Sequence, residues 1–131
     1  MAKKKAFTLA RPIQIDPDTM GEPITVQASL NRGMAYYARK RYDAAERDFL
    51  LAVAMDPETV DGYYGLGMVY KASMKEAEAI QAFEKVADMI HRGMVADRNR
   101  AEMLRRLSTA HMNEIKLGDW NLRSEVWQRI Q

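Results

Sequence analysis

Residues 26–93 decide the fold when they are read as two lines of equal length, VQASLNRGMAYYARKRYDAAERDFLLAVAMDPET over 26–59 and VDGYYGLGMVYKASMKEAEAIQAFEKVADMIHRG over 60–93. At an offset of 34 residues the lines agree at Val26 and Val60, Gly33 and Gly67, Met34 and Met68, Tyr36 and Tyr70, Ala38 and Ala72, Ala45 and Ala79, Phe49 and Phe83, and Met55 and Met89. Agreement concentrated on glycine, alanine and aromatic residues marks an internal repeat. In the first line Leu30, Met34, Tyr37 and then Ala45, Phe49, Ala52, Val53 recur at three- and four-residue spacing, the period of one helix face. Arg39-Lys40-Arg41 is a polar break. The spacing predicts helices over 26–39 and 42–55, the second stopped by Asp56-Pro57, and a corresponding pair over 60–73 and 76–90 that turns near Lys75-Glu76.

Gly33, Tyr36, Tyr42, Ala45, Phe49, Ala52 and Pro57 are similar in type and spacing to the tetratricopeptide repeat, a 34-residue helix-turn-helix unit. Tyr63, Leu66, Gly67, Tyr70, Ala79 and Phe83 continue the resemblance, with Glu76 in place of Tyr42 and His91 in place of Pro57. The resemblance implies an all-α fold, a short right-handed superhelical solenoid of antiparallel helix pairs. Small Gly33 and Ala45 would let paired helices approach, and Tyr36 and Phe49 would fill the space between pairs. A single pair cannot bury its own apolar face, so stability must come from stacking.

Working outward, residues 94–131 align best at an offset of 44, which matches Met68 with Met112 and Phe83 with Trp127 and sets Trp120 opposite Glu76. Met103, Leu104, Leu107, Ala110 and Ile115 then form a first helix, Gly118-Asp119 the turn and Trp120 to Ile130 a second helix. The expectation is a third, divergent repeat over about 104–131, with His111 at the position of the small glycine. The helical domain runs over 26–131. Residues 1–25 carry Pro12, Pro17 and Pro23 and are expected to be extended. Phe7, Leu9, Ile13 and Ile15 alternate there and could lay one face on the solenoid.

Composition narrows the chemistry. Lys plus Arg number 20 against 18 Asp plus Glu, a formal charge of +2, with both signs spread along the chain. The absence of cysteine excludes disulfides, zinc-thiolate sites and cysteine nucleophiles. The longest apolar run, Phe49 to Met55, is far below the roughly 18–20 residues that span a bilayer. Met1-Ala2-Lys3-Lys4-Lys5 is followed by Arg11, Pro12 and Gln14 rather than an apolar core, so no export signal is expected and a cytoplasmic setting follows. Gly62, Gly65 and Gly67 are in the wrong order for a dinucleotide fingerprint, and no strand precedes them. His91 and His111 lack a metal-ligand set, even with Glu114 three residues after His111, and read as surface or boundary histidines. No nucleophile, base or cofactor motif is present, so neither enzyme activity nor a cofactor is expected.

A non-enzymatic module that binds a protein or peptide, extended or as an amphipathic helix, is the leading functional reading. Met34, Met68 and Met112 fall on one face of successive first helices, the face that lines the concave groove in tetratricopeptide proteins. Leu30, Tyr64, Tyr37 and Ile115 lie about a turn away, and Lys71 and Arg105 are counted with the groove. Methionine adapts to irregular apolar partners. Many members hold the carboxylate of a chaperone tail with Lys and Asn of the first helix; Leu30 and Met34 stand there, so that activity is not expected. A second reading is self-assembly into a homo-oligomer through Trp120, Trp127 and Ile130, which share one helix face. A third and weaker reading is RNA binding through Lys3-Lys4-Lys5 and Arg98, Arg100, Arg105 and Arg106, but residues 94–131 have a surplus of only two positive charges, seven basic against five acidic residues.

Overall fold

The computed structural model describes residues 16–118. These form a 3-10 turn, Pro17–Thr19, and five α-helices: α1 Val26–Ala38, α2 Tyr42–Met55, α3 Val60–Ala72, α4 Glu76–His91 and α5 Arg98–Leu117. No strand occurs among the described residues. α1 pairs with α2 and α3 with α4; α3 then packs on α2, and α5 on α4. Residues 1–15, including the alternating apolar segment, and 119–131, including the expected last helix, lie outside the described residues.

Each boundary has a local chemical cause. Thr25 caps α1 by accepting from the Ala28 N–H at 3.1 Å, and Thr59, at the same repeat position, caps α3 by accepting from the Gly62 N–H at 3.4 Å. Asp97 caps α5 through the Asn99 and Arg100 N–H groups. At the end of α1 the Arg41 N–H bonds the Tyr36 carbonyl and the Lys40 N–H bonds the Tyr37 carbonyl, both at 2.9 Å. The end of α3 repeats this with Lys75 to Tyr70 at 2.8 Å and Met74 to Lys71 at 3.1 Å. The closure needs a left-handed residue in the middle, which α4 supplies with Gly93 at φ 75° but α1 and α3 with Lys40 at 60° and Met74 at 63°. α4 extends to His91, where the first unit carries the helix-stopping Pro57.

The core explains the repeated Gly and Phe. Phe49 is buried against two glycines at once: a Cβ would lie 2.9 Å from its ring at Gly33, in its own unit, and 2.5 Å at Gly65, in the next. Phe83 sits likewise against Gly67, where a Cβ would come within 2.6 Å. Burying each ring contributes about 1.5–3 kcal/mol, provided that the glycines stay bare.

Where the units differ, the first buries a polar cluster. Arg32 donates from Nε and Nη2 to the two carboxylate oxygens of Asp48, each at 2.8 Å, and from Nη1 to the Gly21 carbonyl at 2.9 Å. The Ser29 hydroxyl donates to the Asp48 backbone carbonyl at 2.6 Å. Their counterparts at offset 34, Leu66 and Ala82, are buried apolar residues of the main core.

The segment before α1 reproduces an inter-unit contact. Asp18 accepts from the Tyr36 hydroxyl at 2.9 Å and from Arg41 Nη1 at 2.7 Å, and the Arg41 guanidinium lies 4.8 Å from the Tyr36 ring centre. One repeat later Glu46 of α2 pairs with Lys75 at 3.9 Å and, after burial, helps to raise the Tyr70 pKa to about 12, and Lys75 lies 5.8 Å from the Tyr70 ring centre. Asp18 is to the first unit what Glu46 is to the second, so the turn with its buried Pro17 stands where a preceding helix would pack.

Candidate functional site

α1, α3 and α5 enclose a groove of about 270 Å³. Its apolar walls are Leu30 and Met34 of α1, Tyr64 of α3 and Met103, Leu104 and Leu107 of α5, with Phe49 behind them and Gln27, Asn31 and Asp61 adding polar groups. Leu30 is buried, whereas Met34 and Met103 keep 55% and 52% of their surface in solvent. Two flexible thioethers therefore lie exposed on opposite walls, where they can adjust to an apolar side chain. Two further hollows are dominated by charged groups, one around Lys40, Arg41 and Arg47, the other around Arg32, Arg47 and Asp48. Of these three, the groove between α1, α3 and α5 has mainly apolar walls.

His111 joins α5 to the units before it. Its ring stacks on Phe83 with centroids 4.9 Å apart and planes inclined by 10°. Its Nε2 lies 3.1 Å from the Tyr64 hydroxyl and its Nδ1 lies 3.0 Å from Lys71 Nζ, which also donates to Glu114 at 2.8 Å. Burial first, and the neighbouring Lys71 charge second, lower the His111 pKa from 6.5 to about 4, with Glu114 opposing them. The imidazole is therefore neutral at pH 7. Desolvation raises the Tyr64 pKa above the usual phenol value, so its hydroxyl keeps its proton.

Three of the residues expected in the groove, Leu30, Met34 and Tyr64, line it together. The other six lie elsewhere. Tyr37 packs on Tyr42 with ring centres 5.8 Å apart, and Met68 is half-buried outside the lining. Lys71 belongs to the His111 cluster, and Arg105 is bonded to Glu102 at 2.6 and 3.0 Å. Met112 and Ile115 are half-buried on α5, whose groove-facing residues are instead Met103, Leu104 and Leu107. Met112 follows Leu107 by five residues, about 140° around a helix with 3.6 residues per turn, so both cannot face the same groove. The offset of 44 set Met112 level with Met68, but a match in register does not fix the rotation of a helix whose neighbours differ. Trp120, Trp127 and Ile130 lie outside the described residues.

The reading of His111 as a surface or boundary side chain is corrected: it retains only 6% exposure. α5 has no glycine to offer Phe83, and a flat neutral ring stacked on it fills that contact instead. His91 is exposed, as a surface residue should be. Arg100 is engaged by Asp61 and Arg105 by Glu102, which leaves the arginine series of α5 partly paired. Among the described residues no group of three or more His, Cys, Asp or Glu could hold a metal ion, and no helix is long and apolar enough to cross a membrane.

Comparison with known proteins gives one consistent result. The family model described as tetratricopeptide repeat matches residues 18–58 and 30–90. Small glutamine-rich tetratricopeptide repeat-containing protein 2 of Saccharomyces cerevisiae is 39% identical over 59 residues, 45% of this chain and 17% of the yeast protein. The chain thus corresponds to a small part of that relative's length. No solved structure matches significantly.

Proposed function

Since the chain belongs to the tetratricopeptide repeat family, a class of helical protein-interaction scaffolds, we propose that it is a non-enzymatic module that holds an apolar segment of a partner protein between α1, α3 and α5. The observation that carries this is the groove itself, in which Met34 and Met103 remain exposed beside the buried Leu30 and Leu104. Exposed apolar side chains that converge on a concave surface are the usual mark of a binding site. Its volume suits one or two anchoring side chains, with affinity completed along the rim. A cysteine-free chain of balanced charge suits a cytoplasmic setting. Self-association through the far end is the second reading, and light scattering across a concentration series separates it from capture of another protein.

The test uses peptides selected by display against the full chain. Met34→Glu and Leu107→Glu each place a carboxylate in the groove at a side chain that is not fully buried, so the helical circular dichroism should persist while the selected peptides lose binding. Selected peptides that bind both variants as tightly as the parent would overturn the proposal.

A further inference from the structure

Resting on that groove, we infer that the Tyr64 hydroxyl is its specificity-determining donor, and that it selects an extended peptide presenting a free backbone carbonyl beside an apolar side chain. The inference follows from the proton inventory of three residues. An ammonium has donors and no acceptor, so Lys71, 3.0 Å from Nδ1, requires that nitrogen to accept. A neutral imidazole has one acceptor nitrogen, so the ring proton is on Nε2. That Nε2–H, 3.1 Å from the Tyr64 oxygen, must donate to it. The Tyr64 oxygen is then an acceptor toward His111, and its own O–H is left to donate elsewhere. Tyr64 is half-buried on the groove wall beside Leu30 and Met34. Acceptance from His111 also polarises the O–H and strengthens what it offers.

The form of the partner follows. In the middle of a helix every backbone carbonyl is already bonded within the helix, so a helical ligand offers Tyr64 only a second, crowded lone pair or a side-chain acceptor. Leaving a buried donor unpaired is costly. An extended segment exposes a carbonyl at every residue and can meet the hydroxyl while an adjacent side chain enters between Met34 and Met103. Of the two ligand forms expected from the sequence, the extended one fits this wall.

Two measurements on the full chain decide it. The first needs no ligand: histidine ¹⁵N shifts at pH 7 should show a protonated Nε2 and an unprotonated Nδ1 for His111, and the opposite tautomer would overturn the inference. The second uses the display-selected peptides with Tyr64→Phe. Loss of one hydrogen bond predicts binding weaker by roughly three- to tenfold. Replacing the contacted peptide amide by an ester, a poorer acceptor, should weaken binding to the parent chain but hardly further to Tyr64→Phe. Met34→Glu separates the two claims. If it abolishes binding while Tyr64→Phe binds like the parent, the groove stands and the role of Tyr64 falls; if it has no effect, the groove itself is wrong. Selected peptides that bind only as helices would also overturn the inference.

Discussion

Arg32 and Asp48 face each other where the second unit carries Leu66 and Ala82, so the chain holds an ion pair and its apolar substitute in the same architectural position. Asp48 is 3% exposed. Removing it alone leaves the Arg32 guanidinium with the Gly21 carbonyl and the exposed Glu22 carboxylate 3.7 Å away, and Asp48→Ala should cost about 3 kcal/mol, the low end for a broken buried pair. The double change Arg32→Leu with Asp48→Ala copies the second unit and should recover most of that loss in urea unfolding; a double variant as weak as the single would show that the two solutions are not interchangeable. Glycine offers a graded comparison at the same scale. Gly65→Ala, whose Cβ would lie 2.5 Å from Phe49, should destabilise by about 1–3 kcal/mol, and Gly33→Ala, at 2.9 Å, by less. Equal melting temperatures for the two would argue against Phe49 packing on both glycines.

At the level of the helix, Lys40 and Met74 close α1 and α3 in a left-handed conformation that favours glycine. Lys40→Gly and Met74→Gly relieve that strain at some cost in unfolded-chain entropy, for a net gain of about 0.5–1 kcal/mol each. Thermal unfolding should show both, and a loss at either site would mean that its side chain contributes packing that outweighs the strain. The 3-10 turn is tested separately. Arg41 and Tyr36 lower the Asp18 pKa by bonding its carboxylate, so Asp18→Ala should release the turn and speed hydrogen exchange in the segment leading into α1. Exchange in α4 should be unchanged, because the turn touches only the first unit.

For the molecule as a whole, His111 is the tie among α3, α4 and α5, and it makes their association depend on pH. The unfolded imidazole takes a proton near its ordinary 6.5, the folded one only near 4. Between those values the unfolded state binds more protons. The stabilisation is therefore complete above pH 6.5 and is lost as the pH falls toward 4, by roughly 3 kcal/mol in all. The carboxylates of Asp18 and Glu102 have lowered folded values and lose their contribution further down the scale. Stability differences between the parent and His111→Gln should shrink as pH drops from 6.5 to 4; a constant difference would show that His111 is not the titrating group.

The pairing of α1 with α2 and of α3 with α4 is legible from residue order alone. Phe49 with Gly33 and Phe83 with Gly67 are complementary within each unit, and repetition at 34 residues makes that complementarity visible without coordinates. The caps at Thr25 and Thr59 and the end of α5 at Gly118, with φ 69°, are equally local. The rotation of α5 is settled by packing, because its neighbours are not those of α3 and no repeated residue fixes its face. That rotation put Met103 and Leu107, rather than Met112, on the groove, and buried His111 against Phe83. The tertiary structure also revealed Arg32 with Asp48 and Asp18 with Tyr36 and Arg41 as partners. A charged residue in a sequence has the same appearance in solvent or in a pair, and the partner 16 or 23 residues away is chosen by packing.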